Sequence, residues 1–183
     1  MYAFSSLGFS FLFRATYAYC NTVTLTCIQV LVSKGVYSDV YMFSHRIAAS
    51  EVQAEFVRIT TDSGKDITLT PNHYLYVNGA LAVASVVRVG DTLTTAAGEP
   101  TTVQSTERVR AAGLYNPHTM DGDIVVDGLR TSTYTSDIAP ALAHAALWPV
   151  RMLHSLGQDV VGDAFNSGSE LIAAVMPDGK PRY

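Results

Sequence analysis

The sequence predicts an all-β domain with one short helical stretch near its C-terminal end. Three observations carry that reading. Short runs rich in Val, Ile, Thr, Tyr and Phe recur from Val36 to about Thr135, turn signals bearing Gly and Asp separate them, and helical periodicity is confined to residues 141–156. Many short strands at such spacing belong to barrel-like or sandwich-like architectures. At 183 residues the chain has the length of about one domain. Hydrophobic residues make up 48% and charged residues only 15%, which excludes a disordered chain, a coiled coil or a charged solenoid.

Residues 1–29 read as an atypical N-terminal segment. The apolar run 7–13 is interrupted by Gly8 and Ser10 and closed by Arg14, too short for a bilayer span, which needs about 20 apolar residues. As a secretory signal it would put Thr16 and Ala18 before a cleavage point, yet it lacks the Lys or Arg of an n-region. A secreted protein and a loosely structured start both stay open, and localisation with them. The second apolar stretch, 138–150, is broken by Pro140, His144 and Pro149, so no transmembrane segment is expected.

Further on, 56–61, Asp62-Ser63-Gly64 and 67–70 make a hairpin pattern. The stretch 74–77, Asn78-Gly79 and 81–87 makes a stronger one, because both central positions of a type I′ turn need positive φ, which Asn and Gly tolerate. Gly90-Asp91, Gly98-Glu99-Pro100, Asp121-Gly122-Asp123 and Asp127-Gly128 supply turns before Leu93, Thr102-Val103, 124–126 and 129–135. Within 141–156, Leu142, Ala145, Ala146, Met152, Leu153 and Leu156 stand at mostly helical spacing. Pro149 kinks or splits that helix and Gly157 ends it. Residues 158–183, rich in Gly, Asp and Ser, read as a flexible tail.

Twelve Lys and Arg against 16 Asp and Glu give a net charge of −4, spread without runs. No basic stripe exists to neutralise phosphates, so no nucleic-acid partner is expected. Cys20 and Cys27, the only cysteines, cannot build a disulfide framework, and no Cys/His spacing resembles a zinc site. Neither a metal nor a cofactor is expected.

The most informative stretch is Leu69-Thr70-Pro71-Asn72-His73-Tyr74-Leu75-Tyr76-Val77. A strand runs into Thr70, Pro71 fixes a turn, and His73 opens the next strand. Thr70 and His73 therefore stand at a strand break, where side chains can converge on a third group. Histidine titrates near neutrality and can donate a proton to a leaving amide nitrogen, while a threonine hydroxyl can hydrogen-bond the same peptide. The spacing alone is equally met by a turn threonine and a half-buried structural histidine.

The surroundings decide between them. Val36-Tyr37-Ser38-Asp39-Val40-Tyr41-Met42-Phe43-Ser44-His45-Arg46 comes first, and Phe56-Val57-Arg58-Ile59-Thr60-Thr61-Asp62-Ser63-Gly64 leads into the block. Val89-Gly90-Asp91, Asp123-Ile124-Val125-Val126-Asp127-Gly128, Ser132-Thr133-Tyr134, Leu142-Ala143-His144 and Pro149-Val150-Arg151-Met152-Leu153 follow it. In that order and at those separations the chain resembles the Hint domain, the autoprocessing module of hedgehog C-terminal regions and, more distantly, of inteins. The resemblance covers residues 30–157, about two-thirds of the chain.

That resemblance implies a disc-like all-β fold with pseudo-two-fold symmetry, its first strands incomplete here. It also implies a single-turnover, cysteine-peptidase-like self-cleavage whose substrate is the polypeptide joined ahead of the domain. An opening cysteine attacks the carbonyl before it, the peptide becomes a thioester, and a second nucleophile resolves it: a sterol hydroxyl in hedgehog, water or a side chain elsewhere. Thr70 and His73 match the family's Thr and His, which implies that they polarise the scissile peptide and protonate its nitrogen.

Three departures qualify the match. No Cys-Phe opening precedes the strand 29–35, and neither Cys20 nor Cys27 has the family's context, so the nucleophile block is expected to be absent and the domain inactive. His45 stands where hedgehog proteins carry an aspartate, and is either a base for water or another acceptor or a surface-strand histidine. Thr133 stands where they have a cysteine, and is expected to be an outward strand threonine. His118 is expected in a loop after Pro117, His144 to be packed and hydrogen-bonded, and Trp148, Pro149 and Met152 to form an apolar edge. The rival readings are a non-catalytic interaction module on the same scaffold, and a secreted protein with a Cys20–Cys27 bridge.

Overall fold

Runs of β-branched and aromatic residues separated by positive-φ turns fold back on one another, and every run finds an antiparallel partner. The computed structural model describes residues 17–22, 25–47 and 53–157; the expectations for 1–16 and for the 158–183 tail lie outside them. In chain order the strands are β1 (Tyr17–Thr22), β2 (Leu25–Ser33), β3 (Val36–Ile47), β4 (Gln53–Thr61), β5 (Asp66–Leu69), β6 (His73–Val77) and β7 (Ala80–Val83). After a 3-10 turn at Ala84–Val86 come β8 (Thr92–Thr94), β9 (Pro100–Ala112), β10 (Leu114–Thr119), β11 (Asp123–Val126) and β12 (Leu129–Thr135). Two helices close the described chain, α1 (Pro140–Ala146) and α2 (Trp148–Ser155).

The strands form two sheets. One has the order β1-β2-β3-β10; the other runs β11-β12-β6-β8-β9-β4-β5, with β7 beside β6. An apolar core joins them: Val30 and Val40 of the first sheet pack with Ile59, Leu75, Ile124 and Leu129 of the second, which are all but inaccessible. The all-β expectation is borne out. Among the described residues no helix is long and apolar enough to cross a membrane.

Local chemistry explains the punctuation. Asn78 and Gly79 have φ of 51° and 81°, the left-handed pair a type I′ turn requires between β6 and β7. Pro149 falls in the first turn of α2, where its missing N–H removes no helical hydrogen bond, so the expected helix splits at Leu147.

Strands already begin at Tyr17, within the N-terminal segment 1–29, and Cys20 stands opposite Cys27 in the β1–β2 register. Two sequence expectations need correction. The strand expected over 81–87 ends at Val83, because the Ser85 N–H turns back to the Pro71 carbonyl (2.9 Å). His118 lies not in a loop but in β10, buried; a register shift between Asn116 and Pro117 lets the strand carry a residue without an N–H.

Candidate active site

Thr70, Pro71 and Asn72 carry β5 into β6, and all three of their carbonyls are held. His73 N–H reaches Thr70 O at 3.0 Å, Ser85 N–H reaches Pro71 O at 2.9 Å, and Ser136 N–H reaches Asn72 O at 2.9 Å. A turn fixed from its own strand, from the 3-10 segment and from the end of β12 has little freedom to move. Thr70 on it is half-buried, and its hydroxyl has no hydrogen-bond partner among the described residues.

His73 points inward and is 8% exposed. Its Nε2 lies 2.7 Å from the main-chain carbonyl of Ser132. A carbonyl can only accept, so Nε2 carries the hydrogen and Nδ1 is left with its lone pair. Burial holds the imidazole below its ordinary value, and the Ser132 bond opposes this only in part. The side chain is thus a neutral imidazole of known tautomer, its Nδ1 able to accept a proton and, once charged, to give it up readily.

Sequence reasoning brings Thr70 and His73 to one turn, and the structure puts them there. His45 lies elsewhere, on β3 of the other sheet with its backbone opposite Asn116, and its side chain lies outside the described residues. The expectation for Thr133 is overturned. It is fully buried, and its Oγ1 donates to the Gly122 carbonyl at 3.1 Å. Alternation fails there because Thr131, Ser132, Thr133 and Tyr134 are buried in succession: β12 is covered on both faces. Sequence reasoning also missed Ser132, whose contribution is a backbone carbonyl and leaves no mark in residue type.

Beyond Ser132 a polar aromatic cluster fastens the helices to the sheets. Tyr134 Oη and His144 Nδ1 are 2.8 Å apart, the two rings meet edge to face, and Arg151 donates to the His144 carbonyl at 2.6 Å. His118 packs 5.4 Å from the Tyr134 ring. Burial pushes the Tyr134 and Tyr41 phenols up, so both stay protonated. The packed, hydrogen-bonded His144 expected from sequence is found. Among the described residues no group of His, Cys, Asp and Glu is arranged to hold a metal ion.

Two curled sheets with a buried histidine at a strand break define an intein-like class of β domain. The gp41-1 intein shares this fold with a TM-score of 0.51 and 15% identity, over 60% of this chain and 83% of that one. The model of the Hint module family matches residues 32–173, and this chain belongs to that family of protein-autoprocessing domains. Among its relatives, the hedgehog protein of Drosophila virilis is 35% identical over 133 residues, 67% of this chain and 27% of that protein. Warthog protein 1 of Caenorhabditis elegans is 27% identical over 144 residues, 74% of this chain and 29% of that protein. The chain therefore spans little more than a quarter of these relatives. Hint domains act on the polypeptide to which they are themselves joined.

Proposed function

We propose that this domain cleaves the peptide bond joining it to a preceding polypeptide, with His73 moving the proton and Thr70 holding the peptide. The observation that carries the proposal is the buried His73, its Nε2 committed to Ser132 and its Nδ1 left for chemistry. Where a cysteine stands at the junction, its thiol gives its proton to Nδ1 and attacks the carbonyl carbon. The tetrahedral intermediate collapses with loss of the C–N bond, and the proton on Nδ1 passes to the departing nitrogen, leaving a thioester and a free amine. A desolvated imidazolium is a stronger acid than one in water, which suits the second transfer. Thr70, with its hydroxyl uncommitted, donates to the scissile carbonyl.

Neither Cys20 nor Cys27 is assigned as the nucleophile, because the two stand opposite each other within the β1–β2 hairpin rather than at a junction. Resolution of the thioester falls to water or another small acceptor, with His45 as its base. A histidine in place of the hedgehog aspartate removes the fixed negative charge expected to serve a sterol hydroxyl.

The test joins a reporter polypeptide ahead of the chain, with and without a Cys-Phe junction, and looks for the released reporter by mass spectrometry with and without dithiothreitol. Release through the Cys-Phe junction, abolished by His73→Ala and slowed at least tenfold by Thr70→Val, is expected. Release without that junction, lost on Cys20→Ala or Cys27→Ala, would transfer the nucleophile's role to the hairpin. A folded protein that releases nothing in any arm is an interaction module and not a protease.

A further inference from the structure

We infer that an irregularity in β12, anchored by the Thr133 hydroxyl, decides which nitrogen of His73 faces the reaction, and that Thr133 is a positioning residue. This rests on the proton-transfer role proposed above for His73.

The register between β12 and β6 carries the first observation. Thr131 pairs with Leu75 and Thr135 pairs with His73, so β12 advances four residues while β6 advances two. An unbroken ladder would set Thr133 opposite His73. Instead two extra residues are accommodated between Thr131 and Thr135, a bulge of the kind that re-aims groups beside active sites. Within it the Ser132 carbonyl leaves the ladder and accepts from His73 Nε2 at 2.7 Å.

The second observation is what holds the bulge. The Gly122 carbonyl accepts from Thr133 N–H at 2.9 Å, from Thr133 Oγ1 at 3.1 Å and from Ser132 Oγ at 3.3 Å. Ser132 Oγ in turn accepts from Tyr134 N–H at 3.2 Å. Gly122 is itself held by Thr119, whose Oγ1 accepts from Gly122 N–H at 3.0 Å and donates to Asp123 O at 2.7 Å. Thr119 and Thr133 are fully buried and Ser132 nearly so. Buried hydroxyls are costly unless bonded, and here each one is spent on the bulge or its anchor. Gly122 has φ of +79°, and a Cβ there would stand 3.0 Å from the Tyr134 ring, so the anchor is shaped for glycine.

Together these set the tautomer. An imidazole facing no acceptor would exchange its proton between the two nitrogens; facing a fixed carbonyl, it keeps the proton on the nitrogen that donates. Thr133 spends its hydroxyl on the Gly122 carbonyl. It acts through the position of Ser132.

The experiment uses the full chain with nitrogen-15 histidine and reads the tautomer of His73 by NMR, its signals assigned with His73→Gln. The native protein is expected in the Nε2–H form. Thr133→Val, equal in shape but without the donor, should lower the preference for that form about tenfold, and Thr133→Ser should restore it. If the valine variant fails to fold, Ser132→Ala, which removes the longest of the Gly122 bonds, serves in its place with the same expected direction. An unchanged tautomer ratio in a folded Thr133→Val protein would overturn the inference, as would a serine variant that behaves like valine. Reporter release by His73→Ala would sink the proton-transfer role and leave the tautomer measurement standing on its own.

Discussion

A single imidazole sets the chemistry of this domain, and its environment makes a prediction about pH. Burial lowers the folded value of His73 below the 6.5 of a free imidazole, while the unfolded chain titrates near that figure. Below pH 6.5 the unfolded state takes up a proton that the folded state refuses, so stability is lost as pH falls through that region. Urea denaturation at a series of pH values should show His73→Gln, which keeps a donor for Ser132, losing less stability between pH 7 and 5 than the native chain, by up to about 1.4 kcal/mol per pH unit. Equal slopes would mean that His73 takes up its proton as readily in the fold as in the unfolded chain. Gly122 gives a second residue-scale prediction. Gly122→Ala forces an L side chain to a left-handed φ and sets its Cβ against Tyr134, and should cost about 1–2 kcal/mol in the same assay.

At the scale of elements, hairpin β11–β12 is tied to β6 by a charged cross-link. Asp123 accepts from Arg130 Nε at 3.0 Å and from Tyr76 Oη at 3.0 Å, and the guanidinium lies 4.8 Å from the Tyr76 ring centre. Asp123 is largely buried, so removing Arg130 strands a carboxylate away from water. Arg130→Met should destabilise by about 2 kcal/mol and Tyr76→Phe by about 1 kcal/mol; a neutral Arg130→Met would show that the carboxylate finds other solvation. The helices are joined to the sheets through Tyr134 and His144. Tyr134→Phe deletes that bond and keeps the ring, and should raise the rate of limited proteolysis within α1 and α2 several-fold while leaving the strands protected.

Across the whole molecule, one core serves both sheets. Leu129→Ala should therefore cost about 2–5 kcal/mol. It should also shift the circular-dichroism transition and the loss of His73 resonances together, and two separated transitions would argue that the sheets unfold independently. A shared core matters for function because His73 stands on one strand and its carbonyl partner on another, 59 residues apart in the chain.

Much of this was readable from the residues. Asn78-Gly79 dictates its own turn because few residue pairs tolerate two positive φ values, and Pro149 dictates the break between helices because proline lacks an N–H. Thr70 and His73 stood out because a proline turn ties them together locally. Thr133 was misjudged, since alternation along a strand reports burial only where one face meets water, and β12 is covered on both. The sequence by itself determined an all-β chain with an imidazole at a strand break. Which nitrogen of that imidazole is free was decided only by tertiary structure, because the carbonyl that fixes it is a main-chain atom delivered by a register shift between strands distant in sequence.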